Sequence, residues 1–456
     1  MQLLLRLYGA VRGLRTSNDR TNTVLINTLS SLFLKGISIL INFILVPLCL
    51  NAITEKEYGL VLTITSIVNW ISFFDIGIGN GLRNKLSQAI AENNPELGRR
   101  YVSTAFYYVT IIFLSILVLY TIVHPLINWH GLLHISSSEV PELSLCIYIV
   151  IAIFIVRFIL QLISMILLAD QKGYLSDAIM PIANVITILL IFILYKSGHA
   201  NFYNLMLSMS ITPIIVLIGY NFFFFNGSYK FLRPSIKFID HSLRKSLLTL
   251  GYQFFLLQIC VIIIFSTSEF LVANLFDMQS VTTFNIASRY YGIVFLLSNM
   301  VMAPLWSAFT NAWYQGDISW IIKMVKRMHF MNLLFLAVNI CLFFAFEPLV
   351  KLWLGRSFHI HNHLALSLII YNTQMIFNNV FVLFLNGIGR LKSQLWCGIS
   401  GAIINIPITI LLARYTELGL TSICLANIIS LIPSSIVVSI QTRKILSARS
   451  GHDNEL

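Results

Sequence analysis

Long apolar runs, each of about the length needed to cross a membrane, dominate the pattern of this chain. The hydrocarbon core of a bilayer is about 30 Å thick and takes about 20 apolar residues in a helix. Short polar segments separate one run from the next. We therefore predict an all-α polytopic membrane protein with 12 transmembrane spans, at 23–50, 58–76, 101–123, 141–168, 175–195, 202–225, 248–274, 281–306, 328–346, 364–387, 395–413 and 417–441.

The composition supports a membrane protein. Hydrophobic residues make up 57% of the chain and charged residues only 11%, against about 25% charged residues in soluble domains. All 6 cysteines fall inside apolar runs and none forms a CxxC pair, which argues against both disulfides and a zinc site.

The positions of the basic residues predict the orientation of the spans. With a cytoplasmic amino terminus, 22 of the 30 Lys and Arg residues fall in inside segments and 5 in outside loops. Because positive residues favour the cytoplasmic side, both termini are predicted to lie there. The net charge of +12 is then an orientation signal and not evidence for a nucleic-acid partner.

The longest inside loop, residues 226–247, is predicted to be a basic cytoplasmic linker between two six-helix bundles. It contains five of the basic residues. The bundles would comprise residues 1–225 and 248–456, and a weak internal repeat supports them, since ITILL at 186–190 recurs at 408–412. Both halves would start on the same side, so the repeat would be parallel.

Polar residues at helical spacing mark several spans, which crossing a bilayer does not require. In span one, Thr28, Ser31, Lys35, Ser38 and Asn42 share one helical face. A charge at mid-membrane costs about 2.5–3.5 kcal/mol, so the central cations should face protein or water. These rows predict a hydrated lumen, although they could instead only bond neighbouring helices. The predicted lumen residues are Lys35, Asn42, Asn69, Arg157, Gln161, Arg289 and Asn379.

The sequence contains no catalytic constellation, no Walker motif and no cofactor motif. The outside histidines His124, His130 and His134 lack the spacing of a known zinc motif and are predicted to be solvated. His359, His361 and His363 alternate, so an extended segment could bring them together at a metal ion, but a solvated loop is favoured there too. Two acidic residues near or within spans, Asp75 and Glu269, are candidates for coupling to a proton or sodium gradient.

The stretch FDIGIGNGLRNKLS at residues 74–87 places Gly77, Gly79 and Gly81 just before Arg83 and Lys85. A phosphate-binding glycine loop requires a preceding strand, whereas this run follows a membrane span. We predict that the glycines end span two and that a short amphipathic helix follows in the membrane interface. The two cations would lie at the level of the lipid headgroups.

The same stretch carries a resemblance to a known family. FDIGIGNGLRNKL, within a longer similarity over residues 27–108, resembles the signature of bacterial O-antigen and capsular repeat-unit flippases. These belong to the multidrug, oligosaccharidyl-lipid and polysaccharide exporter superfamily. NGIGRLKSQ at 386–394 is also similar to a common exit from span ten in that family.

The resemblance implies a V-shaped alternating-access transporter in the bacterial inner membrane. Its substrate class would be a polyprenyl pyrophosphate carrying a short oligosaccharide, moved from the cytoplasmic to the periplasmic leaflet. The implied protein is a monomer, with a polysaccharide polymerase and a chain-length regulator as partners. A multidrug exporter of the same superfamily remains the alternative. A membrane polymerase or ligase is disfavoured, since it needs a large outside loop and none is predicted here.

Overall fold

The structure is a computed structural model that describes residues 17–72, 77–133, 136, 140–276, 278–354 and 359–452. These residues form α-helices joined by short turns, with no β-strand among them. The helices are α1 (Ser17–Ala52), α2 (Glu55–Ser72), α3 (Ile78–Ala91), α4 (Pro95–Val123), α5 (Trp129–Leu133), α6 (Leu143–Leu160), α7 (Leu162–Ala169), α8 (Gly173–Asp177), α9 (Ile179–Lys196), α10 (Phe202–Asn226), α11 (Arg244–Val261), α12 (Thr267–Leu275), α13 (Met278–Met302), α14 (Leu305–Tyr314), α15 (Ile318–Phe344), α16 (Phe346–Leu354), α17 (Asn362–Ile388), α18 (Lys392–Tyr415) and α19 (Thr421–His452).

Ten helical stretches within the described residues, from Pro95–Leu126 to Thr421–Arg449, are long and apolar enough to cross a membrane. They overlap predicted spans three to twelve. Predicted span one lies in α1, and the described part of predicted span two, residues 58–72, lies in α2. Many of their large apolar side chains are exposed, including Leu126 (82%) and Phe344 (77%). Exposed apolar surface of this extent is typical of helices that contact lipid.

The chain divides into two compact units, one within Thr21–Tyr252 and the other within Gln253–Leu456. We call them the amino-terminal and carboxyl-terminal units. The core of the amino-terminal unit is aliphatic and includes Leu82, Ile163 and Ile166, which are fully buried. In the carboxyl-terminal unit, the rings of Tyr291 and Phe346 stack with centroids 6.0 Å apart.

Predicted spans four and seven both contain a break in regular α-helix. Span four is divided at Gln161 into α6 and α7, and the side chain of Asn221 donates to the Leu160 carbonyl at 3.0 Å. Span seven contains a π-helical turn at Ile262–Ser266 between α11 and α12. Such breaks persist in membranes when side chains satisfy the released backbone groups, and π-turns are frequent near functional sites.

The segment predicted as a linker packs against α4 of the amino-terminal unit. Asp240 forms an ion pair with Arg100, and the Ser235 amide donates to the Ser103 hydroxyl at 3.2 Å. Leu232 is buried beneath this segment. Residues 230–243 therefore form a strap of short 3₁₀ turns that is fixed to one unit by polar and apolar contacts.

The prediction that all the outside histidines are solvated is wrong for His124. Its ring is only 8% exposed, and its Nδ1 lies 3.2 Å from the indole N–H of Trp129, which donates to it. The Nε2 atom lies 3.1 Å from the Ser144 hydroxyl. The hydrogen-bond partners of His124 are therefore protein side chains at the end of α4, whereas the sequence predicted that the ring would be hydrogen-bonded to water. His359 is exposed and bonds Glu347 at 2.7 Å, and the described residues contain no metal-binding cluster.

Candidate functional site

A cavity of about 350 Å³ lies within the amino-terminal unit, between α1, α2, α6, α9 and α10. Leu45, Val68 and three methionines give it a largely apolar and deformable wall. The polar side chains that line it are Thr65, Arg157, Asn184, Thr187 and Ser210.

Arg157 is the only cation among the described residues that line this cavity. Its Nη2 lies 3.3 Å from the sulfur of Met180, a weak acceptor, and its guanidinium carbon lies 5.8 Å from the centroid of the Phe154 ring. Its Nε is buried without an acceptor, and no described carboxylate pairs with it. Because a guanidinium presents five donors in a planar fork, most of its bonding capacity is free for an anion.

One of the polar lining residues, Thr187, is held in place by a hydrogen bond with a second threonine, Thr212. The Thr187 hydroxyl donates to the Ala183 carbonyl at 2.9 Å, so the Thr212 hydroxyl must donate to Thr187, 2.6 Å away. Asn184 also lines the cavity and makes no hydrogen bond to the described residues. The described lining of the cavity therefore combines a cation with an amide that has no hydrogen bond to the described residues.

α3, which the sequence predicted to be an amphipathic helix in the membrane interface, is mostly buried within the protein. Ten of its 14 residues are buried, including Arg83, which is 6% exposed. α3 packs between α4 and α7, so Arg83 does not lie at an open headgroup surface. Burial lowers the pKa of Arg83 to about 9, which leaves the guanidinium protonated at neutral pH. Lys85 is half-buried, bonds Gln88 at 3.3 Å, and has its pKa lowered by burial.

The three glycines of this stretch have different roles. Gly77 adopts a left-handed conformation (φ 68°) at the start of α3, as a turn that ends a preceding helix requires. Gly79 faces the flexible side chain of Met165, and a Cβ there would lie 3.0 Å from Cγ. Gly81 faces backbone, and a Cβ there would lie 2.9 Å from the Leu247 carbonyl oxygen. The stretch thus allows close helix packing and does not form a phosphate loop.

A second cavity, of about 530 Å³, lies within the carboxyl-terminal unit between α11, α13, α17, α18 and α19 and the π-turn. The predicted lumen residue Asn379 lines it and donates to the Asn299 side chain at 2.9 Å. Asn378 is 9% exposed and donates to the Ser434 hydroxyl at 3.1 Å. The side-chain carbonyl oxygens of Asn378 and Gln394 have no donor. The polar part of this cavity is therefore neutral and rich in acceptors.

Sequence reasoning missed a buried polar network beside this second cavity. Asn405 donates to the Asn427 side chain at 2.8 Å and to the Ser430 hydroxyl at 3.2 Å. Asn427 in turn donates to the Ser268 hydroxyl at 3.2 Å, next to the π-turn. Asparagines within apolar spans were the sequence signal that could have indicated this network. The cavity residues Asn184 and Thr187 could have been predicted in the same way, from their three-residue spacing in span five.

The remaining predicted site residues whose side chains the structure describes do not line these cavities. Lys35 is half-buried on α1, Arg289 is exposed on α13, and Gln161 lies at the α6–α7 break; none of the three lines either cavity. Ser31 anchors α1 by donating to the Asp177 carboxylate at 2.5 Å. The side chains of Asn42, Asn69, Asp75 and Glu269 lie outside the described part of the structure.

No family model matches the chain. A Yersinia pseudotuberculosis protein provisionally named as an O-antigen export protein is 21% identical over 368 residues, which are 80% of this chain and 83% of that protein. A Salmonella typhi protein provisionally named as an O-antigen transporter is 20% identical over 378 residues, 80% of this chain and 82% of that protein.

Solved structures with the same fold are MATE transporters. One MATE structure, in a bent conformation, superposes with a TM-score of 0.75 at 15% identity and covers 95% of this chain and 97% of its own. An outward-facing multidrug-resistance MATE transporter of the MOP superfamily gives a TM-score of 0.73 at 15% identity, covering 97% of this chain and 98% of its own.

The chain has the fold of MATE transporters, and ten helical stretches of its described residues are long and apolar enough to cross a membrane. Over four-fifths of its length it is similar to proteins named for O-antigen export, which indicates a membrane transporter. The resemblance carried by residues 74–87 is thereby confirmed.

Proposed function

We propose that this transporter is a flippase for lipid-linked oligosaccharides. It moves polyprenyl-pyrophosphate-linked O-antigen or capsule repeat units from the cytoplasmic to the periplasmic leaflet of the inner membrane. The observation that carries the proposal is the cavity of the amino-terminal unit, where Arg157 pairs with no carboxylate of the described residues.

The chemistry of the substrate suits an unpaired guanidinium. A pyrophosphate diester is anionic, and its attraction to a cation grows as water is excluded from the site. The fork of Arg157 can bind two phosphate oxygens at once, which a lysine ammonium cannot do in the same geometry. Neutral sugars would bind hydroxyl and amide groups such as Asn184 and Thr187, while the polyprenyl tail stays in the bilayer.

The other predicted lumen residues extend this proposal. Lys35 and Arg289 are proposed to add positive charge along the substrate path, and the polar residues Asn42, Asn69, Gln161 and Asn379 to bind sugar hydroxyls. Asp75 and Glu269 are proposed to couple the cycle to a proton or sodium gradient.

The proposed architecture is that of a V-shaped alternating-access transporter with twelve spans. Residues 1–225 and 248–456 form the two six-helix bundles, residues 226–247 connect them, and both termini are cytoplasmic. The excess of Lys and Arg in the inside segments supports this orientation. The transporter would act as a monomer that supplies repeat units to a polysaccharide polymerase and its chain-length regulator.

A multidrug exporter is the second candidate. The observation that favours it is the mainly apolar lining of the carboxyl-terminal cavity, including Leu257, Val261 and Phe295, which would suit a lipophilic drug. This candidate does not account for an unpaired arginine in the other unit, because multidrug substrates are commonly cationic.

The test measures surface polysaccharide and membrane abundance together in cells that depend on this transporter. Arg157→Ala should remain abundant but lose surface polysaccharide, and Arg157→Lys should retain part of it. Lys196→Ala removes an exposed cation at the end of α9 and should behave as the parent chain does. Normal polysaccharide display by abundant Arg157→Ala protein would refute the proposed role of this residue. Reduced ethidium accumulation without polysaccharide export would favour the multidrug exporter.

A further inference from the structure

A groove of about 450 Å³ lies at the basic end of α19, where α17 ends beside it. Its lining combines two cations, Arg390 and Lys444, with the amide of Gln441 and aliphatic residues such as Val437 and Ile440. No carboxylate lines the groove, and neither cation has an ionic partner among the described residues.

One of the cations is held by local backbone geometry. Gly389 ends α17 in the left-handed conformation (φ 69°), and the Arg390 amide donates to the Leu385 carbonyl at 3.0 Å. Trp313 lies beside the groove, with its ring centroid 6.0 Å from the Arg390 guanidinium carbon and 4.2 Å from that of Arg449.

An exposed apolar track on α19 leads to the groove. Ile429, Ile432, Ile436, Val437 and Ile440 are each 39–52% exposed, and their spacing places them along one face of the helix. Lys444 lies one turn beyond Ile440 on that face. An apolar track that ends at cations with no ionic partner among the described residues matches an anionic lipid, with acyl chains on the track and the phosphate at the cations.

We propose that this groove is a binding site for an anionic phospholipid of the surrounding leaflet, of the phosphatidylglycerol type. Arg390 and Lys444 bind the phosphate, and the aliphatic face of α19 packs against an acyl chain. The site is independent of the proposed flippase function, since it uses none of the residues assigned to the lumen.

The experiment measures thermal stabilisation of the full-length protein in detergent on addition of dioleoyl phosphatidylglycerol, with dioleoyl phosphatidylcholine as the zwitterionic control. Native mass spectrometry of the same samples counts bound lipid. Phosphatidylglycerol should bind and stabilise the parent protein more than phosphatidylcholine does. Each cation should contribute about fivefold in apparent affinity, because a basic residue near an anionic surface is worth about 1 kcal/mol.

The variant Arg390→Ala/Lys444→Ala should lose this preference, and Arg390→Lys/Lys444→Arg should retain it. Arg414→Ala/Lys351→Ala removes the same charge from exposed positions outside the groove and should leave the preference intact. Equal loss in this control pair would overturn the proposal, because the effect would then reflect net charge alone. Equal stabilisation by phosphatidylcholine would also overturn it.

Two further probes separate other sources of phosphate. Inorganic phosphate that matches phosphatidylglycerol in the parent protein would assign the site to a free anion. An undecaprenyl phosphate effect lost in Arg390→Ala/Lys444→Ala, without a phosphatidylglycerol effect, would assign it to the carrier lipid. Either result would overturn the phospholipid proposal without affecting the Arg157 test.

Discussion

Gly81 of α3 lies directly against the backbone at Leu247 of α11. A Cβ at residue 81 would be 2.9 Å from the Leu247 carbonyl oxygen, and a Cβ at Gly251 would be 3.0 Å from the backbone of Ile78. The two helices therefore approach each other through glycine on both sides. The glycine-rich stretch therefore serves close packing between helices, although its sequence resembles a phosphate-binding loop.

The first prediction follows from this contact. Gly81→Ala should lower stability by about 1–3 kcal/mol, since the carbonyl it meets cannot rotate away as a side chain could. This cost exceeds the gain of about 0.5–1 kcal/mol that alanine brings to a helix. Thermal unfolding and membrane abundance would measure the effect. Gly79→Ala should be milder because Met165 can move, and Gly219→Ala, which has open space, should not destabilise. Equal effects at residues 79 and 81 would contradict the account.

The second prediction concerns the cost of a buried cation. Because Arg157 has no described acidic partner, Arg157→Leu should raise the thermal unfolding temperature while it abolishes export. A charge within a membrane costs up to about 2.5–3.5 kcal/mol, and leucine removes that cost. Lys196→Leu, at an exposed position, should change the temperature little. A marked fall in stability for Arg157→Leu would instead indicate a structural ion pair.

The third prediction concerns the asparagine network of the carboxyl-terminal unit. Asn427→Ala should cost about 1 kcal/mol, because it removes the acceptor of Asn405 and the donor to Ser268. A double-mutant cycle with Asn405→Ala, scored by thermal unfolding, should show coupling between the two residues. Asn274→Ala is the control, since that exposed side chain bonds only to the Phe270 carbonyl of its own helix. Additive effects of the two substitutions would contradict the network.

The fourth prediction is a pH dependence of the strap at 230–243. Hydrogen bonds from Ser242, together with Arg100, hold the pKa of Asp240 below its ordinary value of 3.8. The contribution of the carboxylate is therefore present above that value and is lost as the pH falls through the lower pKa of the folded state. Pepsin should begin to cleave the strap as the pH is lowered below about 4.

Asp240→Asn supplies the control for this effect. The amide cannot titrate and forms a weaker bond with Arg100, so the strap should be cleaved more readily and with little dependence on pH. An unchanged pH profile in Asp240→Asn would assign the transition to another group.

The sequence by itself determined the membrane helices and the class of protein. Spans three to twelve coincide with helices in the structure, because twenty apolar residues have no stable alternative to a helix in lipid. The stretch at residues 74–87 was sufficient for the resemblance to O-antigen exporters. Arg157 lines a cavity, as the cost of exposing a cation to lipid led us to expect.

Only the tertiary structure decided which residues each polar helix face contacts. Helical spacing places Ser31 and Lys35 on one face, yet Ser31 is bound to Asp177, 146 residues away in the chain. Arg83 is buried because the glycines before it let α3 pack closely on its neighbours, a contact that depends on residues distant in sequence. Asn405 and Asn427 meet for the same reason. Periodicity defines a polar face, but the partner of that face comes from another part of the chain.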